Sequence, residues 1–406
     1  MTMTVTGPPP ARLDRFRTLV RAVGGPRYVV AVGVDALGTG LLRPFLILYG
    51  IYVLKLTGPV AGLALTAGVV AGLGSVPPMG RWLDRGARST AVAASMLVRV
   101  LGTALLVAAP AGSPGTVWLF AVAALFLGIG NQAFPVAQAA LVASVSAGRE
   151  RDAALAAGRS LRNAGIGLGA LIATAGLAGG TPALRALAVA TGLAYLLAAT
   201  LAWSVRIRAG SRSGAAPRAH LTAAPKLRLL LSANVIYAFC LNVPEIALPL
   251  VLVAQLHASP MWAAGVLVIN TGLVVAFQVP VTVRMSRFSR RTALAISGVV
   301  LTASYVGFLA AVEVGGGWAA PAIAGVAVLC TVGEMIYAGS ATALVAASIP
   351  EPVLGRALAR FQLSTGFGLA VSPAIITALA AGGPAALWAP LAAATLLAAA
   401  AVTRQA

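Results

Sequence analysis

Residues 80–89 read Gly80-Arg81-Trp82-Leu83-Asp84-Arg85-Gly86-Ala87-Arg88-Ser89, with three arginines and one aspartate among them. The stretch 58–79 before it carries no charge, and the stretch 90–110 after it carries only Arg99. A bilayer core about 30 Å thick needs roughly 20 apolar residues of helix, so a short charged turn between two such runs reads as a membrane-crossing hairpin. The rest of the chain repeats this alternation. Of its 406 residues 59% are hydrophobic and 9% charged, a balance that would leave a water-soluble domain coated in bare hydrocarbon. The solvent of this fold is therefore lipid.

Twelve apolar runs can be placed, at 28 to 54, 58 to 79, 90 to 110, 116 to 143, 156 to 178, 183 to 204, 228 to 254, 261 to 283, 292 to 312, 318 to 347, 357 to 380 and 384 to 402. The Gly-rich pair 156 to 178 and 183 to 204 is the least apolar reading, since such segments also occur packed or re-entrant. Orientation follows from the loops. One side holds Arg81, Arg85 and Arg88, then Arg149 and Arg151, Arg206 to Lys226, Arg284 to Arg291, and Arg356, whereas the other holds only Lys55 and Arg185. The bias puts the basic side and both termini in the cytoplasm of an inner-membrane protein.

The expected organisation is a cytoplasmic tail at 1–27, a six-helix bundle at 28–204, a basic linker at 205–227, a second six-helix bundle at 228–402 and a tail at 403–406. The tail at 1–27 has five arginines and no apolar core of signal-peptide length. The net charge of +20 lies in short clusters between apolar runs, which excludes a nucleic-acid groove. Cys240 and Cys330 sit inside apolar runs and read as small buried hydrophobes, while His220 and His257 fall in loops. No cofactor or metal is expected.

The two halves look like distant copies. An offset of 202 brings Pro78 onto Pro280, Arg85 onto Arg287 and Arg88 onto Arg290, and an offset of 201 brings Glu150 onto Glu351 and Arg159 onto Arg360. Two repeats related along the membrane normal, with a site between them, are what an alternating-access carrier requires.

The 80–89 stretch resembles the major facilitator signature G-x-L-x-D-R-x-G-R-R. That resemblance implies an all-α fold of twelve transmembrane helices in two pseudo-symmetric bundles, with Gly80, Asp84, Arg85 and Arg88 forming a latch on the cytoplasmic face. In the second half Ser286 stands where the acid would be, so the latch is expected to be asymmetric. Gly333-Glu334-Met335, Pro350-Glu351 and Gly355-Arg356 resemble the tenth and eleventh helices of the drug exporters in this superfamily, and Phe126-Leu127-Gly128-Ile129-Gly130 through Pro135 their fourth. Two features depart from the drug:proton antiporters. Ala124 stands near where they usually carry an arginine, and Gly165-Ile166-Gly167-Leu168-Gly169 lacks the proline of their fifth-helix motif.

An ionisable group at membrane depth costs at least about 2.5 kcal/mol on insertion scales, so each one present needs a reason. Asp35, Arg43, Asn131, Gln132, Asn234, Asn242, Glu245 and Glu334 all fall on the first, fourth, seventh and tenth helices, which line the central cavity in the fold the resemblance implies. At 1.5 Å per residue Asp35 and Glu334 form an inner tier, and Arg43 and Glu245 an outer one. Asp35 and Glu334 are the expected proton-coupling acids, because desolvation favours a carboxyl group's neutral form and lets it load and release a proton. Arg43 and Glu245 are related by the repeat offset and are expected to form an outer gate pair. Arg99 has no assigned partner, and Arg159 and Arg162 lie near enough to the surface to snorkel.

The leading expectation is a proton-coupled exporter of amphipathic or lipophilic small molecules, acting as a monomer with protons, a small-molecule substrate and membrane lipid as its partners. The alternatives are a flippase or uptake carrier for a lipid-like or organic solute, or, further off, a sensor or membrane enzyme. The sequence offers neither a metal or catalytic cluster nor an ATP-binding motif.

Overall fold

The computed structural model describes residues 20, 24–113, 115–176, 179–205 and 225–403, and all its regular elements are helical. The linker arginines between 206 and 224, His220 and most of both expected tails lie outside the described residues. Twelve long helices follow in order: α1 (Pro26–Leu42), α2 (Gly58–Asp84), α3 (Arg88–Ala108), α4 (Thr116–Val145), α5 (Gly148–Gly176) and α6 (Gly180–Ser204), then α7 (Pro225–Cys240), α8 (Pro260–Met285), α9 (Arg290–Glu313), α10 (Ala319–Ser348), α11 (Leu354–Ala381) and α12 (Pro384–Thr403). Helices satisfy every backbone group within one segment, which lipid demands of anything that crosses it.

Ten spans among the described residues are long and apolar enough to cross a membrane, and an eleventh is α1 together with its bent continuation. The remaining long helix, α5, is 29 residues long. It begins at Gly148, eight residues before the apolar run read from the sequence, and carries Arg149, Glu150, Arg151, Asp152, Arg159 and Arg162 in its first half. Its charges lie in the first half, and the second half, which carries none, exposes Leu168, Leu171 and Ile172.

The packing is two-fold. In the first half α1 packs on α5 and α6, α2 on α4, and α3 on α4 and α6. In the second half α7 packs on α11 and α12, α8 on α10, and α9 on α10 and α12, which is the same set advanced by six helices. Contacts between the halves obey the same symmetry, α2 with α11 matching α8 with α5, and α4 with α11 matching α10 with α5.

The first and seventh spans are not continuous α-helices. After Leu42 the chain makes a tight turn at Arg43–Phe45, resumes through Leu46–Leu48 and ends in a π-helical stretch, Tyr49–Val53, bent 50° from α1. After Cys240 the counterpart breaks into π-helical stretches at Val243–Ala247 and Leu250–Gln255. Pro44 and Pro244 lack the N–H that a continuing α-helix needs at these points. The two segments stop at Lys55 and His257, which stand 202 apart and share a left-handed backbone, with φ 61° and 50°.

The ends carrying Asp84 are closed against each other. Gly86 (φ 94°) supplies the left-handed turn after α2. Asp84 Oδ1 accepts from the backbone N–H groups of Gly355 (2.6 Å) and Arg356 (3.3 Å), while Oδ2 accepts from Arg356 Nε at 2.7 Å. The acid thus caps the start of α11 and pairs with the cation there, both favourable at a helix N-terminus. Gly80 and Gly355 bring the two backbones so close that a Cβ on Gly355 would strike the Gly80 carbonyl. Arg85 caps α2 on the exposed surface, and Arg88 is buried at the start of α3.

The second contact across the halves again takes its acid from the first half and its cation from the second, but here the cation stands at the interhelical turn. Arg290, at the first residue of α9, pairs with Asp152 in the second turn of α5 at 3.0 Å, and its guanidinium also donates to the Gly148 carbonyl. Ser286 holds no acid, and the acid of this second tie sits on the other partner.

Replacing Asp84 with alanine should loosen the closed end without unfolding the chain, because three donors lose one acceptor. In a cysteine-free background bearing Leu83→Cys, a position with no exposure in the closed state, maleimide labelling should rise several-fold when Asp84→Ala is added. Unchanged labelling would show that Asp84 does not hold this end.

Candidate functional site

The most deeply buried charges lie inside the first half. Asp35 and Arg99 are both fully buried, and Arg99 Nη2 meets Asp35 Oδ1 at 2.5 Å. Arg162 Nη1 meets the other carboxylate oxygen at 3.1 Å. One acid on α1 therefore joins α3 and α5. Arg99 also donates to Thr39 Oγ1, which accepts from Tyr195 of α6, and the Arg99 and Arg162 guanidinium groups lie 5.3 and 4.8 Å from the centre of the same Phe134 ring. Aromatic faces are a low-polarity surface that a planar guanidinium can occupy.

Between the halves lies a cavity of about 390 Å³. Arg159, Arg162 and Asn163 of α5 face it on one side, Glu334 and Tyr337 of α10 with Asn270 and Gln278 of α8 on the other, and Gln362 and Thr365 come from α11. Glu334 is 7% exposed. Its Oε2 accepts from Asn270 Nδ2 at 3.2 Å, and its Oε1 finds no hydrogen-bond partner among the described residues. Asn270 is itself oriented by Thr331 Oγ1 at 3.0 Å.

Of the eight residues expected on the cavity, Glu334 alone lines this one. Asp35 is held off it, reaching it only through Arg162, which corrects the picture of two facing acids in one inner tier. Asn234 is buried and ties α7 to α11 through Ser364 and Thr365, both at 2.8 Å, while receiving a hydrogen bond from Tyr337. Asn242, eight residues further on and just past the end of α7, bonds α11 through Ser372 and the Leu369 carbonyl. Gln132 accepts from Gln362 across the halves, and Asn131 Oδ1 is buried without a hydrogen-bond partner among the described residues. Arg43 and Glu245 are exposed, one at the break of α1 and the other at the break beyond α7, and no ion pair joins them in this arrangement.

Arg162, Asn270 and Arg356 were missed as working partners. Arg162 could have been found as a cation one helix turn from Arg159 on a segment too polar to face lipid. Asn270 offered little signal beyond a lone amide in an apolar run.

A family model described as Major Facilitator Superfamily matches residues 28–243. Among solved structures the chain is similar to a bacterial homologue of the iron transporter ferroportin in an outward-facing state, with a TM-score of 0.75, 13% identity and coverage of 93% of this chain and 98% of that one. It is also similar to the proton:xylose symporter XylE (TM-score 0.75, 14% identity, 96% and 95% covered) and to the transporter FucP in the outward conformation (0.74, 14%, 96% and 98%). At such identities these likenesses speak for the fold. No curated protein matches the sequence.

Asp35→Asn should be among the most destabilising single changes in the chain, because it leaves Arg99 charged, buried and without its acid. Breaking a buried pair from one side typically costs about 3 to 5 kcal/mol. Thermal unfolding in detergent should show a large fall for Asp35→Asn and a smaller one for Asp35→Leu combined with Arg99→Met. If the double variant is the less stable, the pair is not the strut described.

Proposed function

We propose, from the premise that the chain belongs to the Major Facilitator Superfamily and is a multi-pass secondary transporter working by alternating access, not an enzyme, that it is a proton-coupled exporter of amphipathic small molecules. One observation carries the coupling. Glu334 stands on the cavity wall with one carboxylate oxygen unpartnered, whereas Asp35 is neutralised by two arginines. A carboxylate that shares a cavity with substrate and has no fixed counter-ion can exchange a proton as the cavity changes face. Asp35 acts on the same step more remotely, through its hold on Arg162. Placing the basic loops in the cytoplasm of the inner membrane makes the Asp84 end the cytoplasmic one, so the arrangement is closed inside. Asp84 and its neighbours Gly80, Arg85 and Arg88 then hold the inner end shut, and Arg43 and Glu245 are the pair that meets when the outer end closes. The chain works as a monomer.

A second reading is uptake of an organic solute. It is favoured by the two arginines that face the cavity against one carboxylate. A negatively charged solute would load together with a proton, since it repels ionised Glu334, and the two would travel in the same direction.

In proteoliposomes given a dye panel and an imposed pH gradient, the wild type should accumulate substrate against its gradient. Glu334→Gln should abolish that accumulation while leaving downhill exchange at least partly intact. The polarity of the gradient that drives accumulation separates export from uptake, and accumulation by Glu334→Gln with unchanged pH dependence would remove Glu334 from the coupling.

For the outer pair, Arg43→Ala and Glu245→Ala should each slow turnover more than the double variant, and the swap of Arg43→Glu with Glu245→Arg should recover activity. Additive single effects and an inactive swap would separate the two residues.

A further inference from the structure

We propose that Arg159 and Arg162 form the binding site for an anionic headgroup, and that the transported solute is an amphipathic organic anion. The inference rests on the cavity being the substrate site, and of the two readings above it accords with the second, in which an anionic solute and a proton travel together. Arg159 and Arg162 are three residues apart on α5 and both face the cavity, so they are neighbours on one helix face. Two like charges in that relation repel, and partial burial strengthens the repulsion by lowering the effective dielectric. Arg162 has Asp35, but Asp35 is already paired with Arg99, leaving two cations to one acid in that cluster. Arg159 makes no ion pair or hydrogen bond with any described residue.

The surroundings do not supply the missing acid. Glu334 stands on the α10 wall, held by Asn270 of α8, and forms no ion pair with either arginine. The Tyr337 hydroxyl donates to Asn234 and carries no charge, so it supplies no counter-ion to Arg159. With the charges that act on the cavity groups from nearby, Arg43 on Arg162 and Glu245 on Glu334, the region holds four arginines, 43, 99, 159 and 162, against three carboxylates, 35, 245 and 334. A planar guanidinium matches carboxylate, sulfonate or phosphate oxygens with paired donors, and Asn163 on the next position adds an amide on the same face. The rest of the lining gives room for an apolar body, with Val142, Leu155, Leu241, Val274, Leu358 and Phe361 around it. A volume of about 390 Å³ holds a small organic molecule. An occupant with one acidic end and one hydrocarbon end satisfies both surfaces, and an organic cation would meet Arg159 and Arg162 head-on.

Binding to the full chain in lipid nanodiscs tests this with headgroups varied on one tail: octanesulfonate, octylammonium and octanol. Octanesulfonate should bind at least about tenfold more tightly than either partner, the margin that charge-assisted hydrogen bonds to one guanidinium support. Arg159→Gln should lose about tenfold for octanesulfonate and little for octanol, and Arg159→Lys, which keeps the charge without the paired donors, should fall between Arg159→Gln and the wild type. Equal affinity for the three headgroups in the wild type, or stronger binding of octylammonium, overturns the proposal without needing any variant to fold. Unchanged octanesulfonate affinity in Arg159→Gln overturns it as well. Repeating the titration in discs containing phosphatidylglycerol sorts the source of the anion: competition places a lipid headgroup on the arginines, and its absence places a soluble anion there. Loss of pH-driven accumulation in Glu334→Gln is a separate readout, so failure of the coupling and failure of the headgroup preference are distinguishable.

Discussion

A charge inside a membrane protein must be paired or wetted, and the bond between Asp35 and Arg99 is where this chain meets that constraint most severely. Neither side chain touches solvent. Desolvating two ions costs several kcal/mol each, which good geometry and extra hydrogen bonds can offset. Thr39 and the rings of Phe134 and Tyr195 complete the shell. Because the same carboxylate reaches Arg162, the strut fixes α1 against α3 and α5 and sets the face that α5 presents to the cavity.

The second half answers the same mechanical need with neutral groups. Where α1 is tied to α5 by Asp35 and Arg162, α7 is tied to α11 by Asn234 with Ser364 and Thr365, and again by Asn242 with Ser372. Amide and hydroxyl pairs in a membrane interior contribute about 0.6 to 2 kcal/mol each and carry no field beyond their neighbours. The halves therefore match in packing and differ in electrostatics, the arginine wall belonging to one and Glu334 to the other. The ties that close the Asp84 end show the same pattern, one pairing with its acid on α2 and the other with its acid on α5.

Much of this architecture was legible in the residues. Apolar runs and basic loops located the helices to within a few residues in most cases, since lipid imposes length and composition directly. The α5 boundary was misplaced because that helix obeys protein contacts instead: its first two turns are charged and pair with Arg290 and the Ala346 carbonyl. The breaks after Leu42 and Cys240 left Pro44 and Pro244 as their only local traces. Site residues were harder. A list of intramembrane polar groups names Asp35, Arg99 and Arg162 but says nothing of who meets whom, and three helices brought together from positions 35, 99 and 162 have no shared sequence signal. Glu334 was found because a lone acid deep in an apolar run is conspicuous on its own.

The broken tips of the first and seventh spans make the bilayer itself a participant. A straight helix answers a change in hydrocarbon thickness by tilting as one rod, whereas a helix jointed at Arg43–Phe45 or after Cys240 can re-angle the segment beyond the break and leave the Asp84 end undisturbed. Mismatch costs fractions of a kcal/mol per Å. Summed over two jointed tips, that biases the balance between shapes in which this end of the bundle is open and shapes in which it is closed, so lipid chain length becomes a thermodynamic variable of the alternating-access cycle alongside substrate.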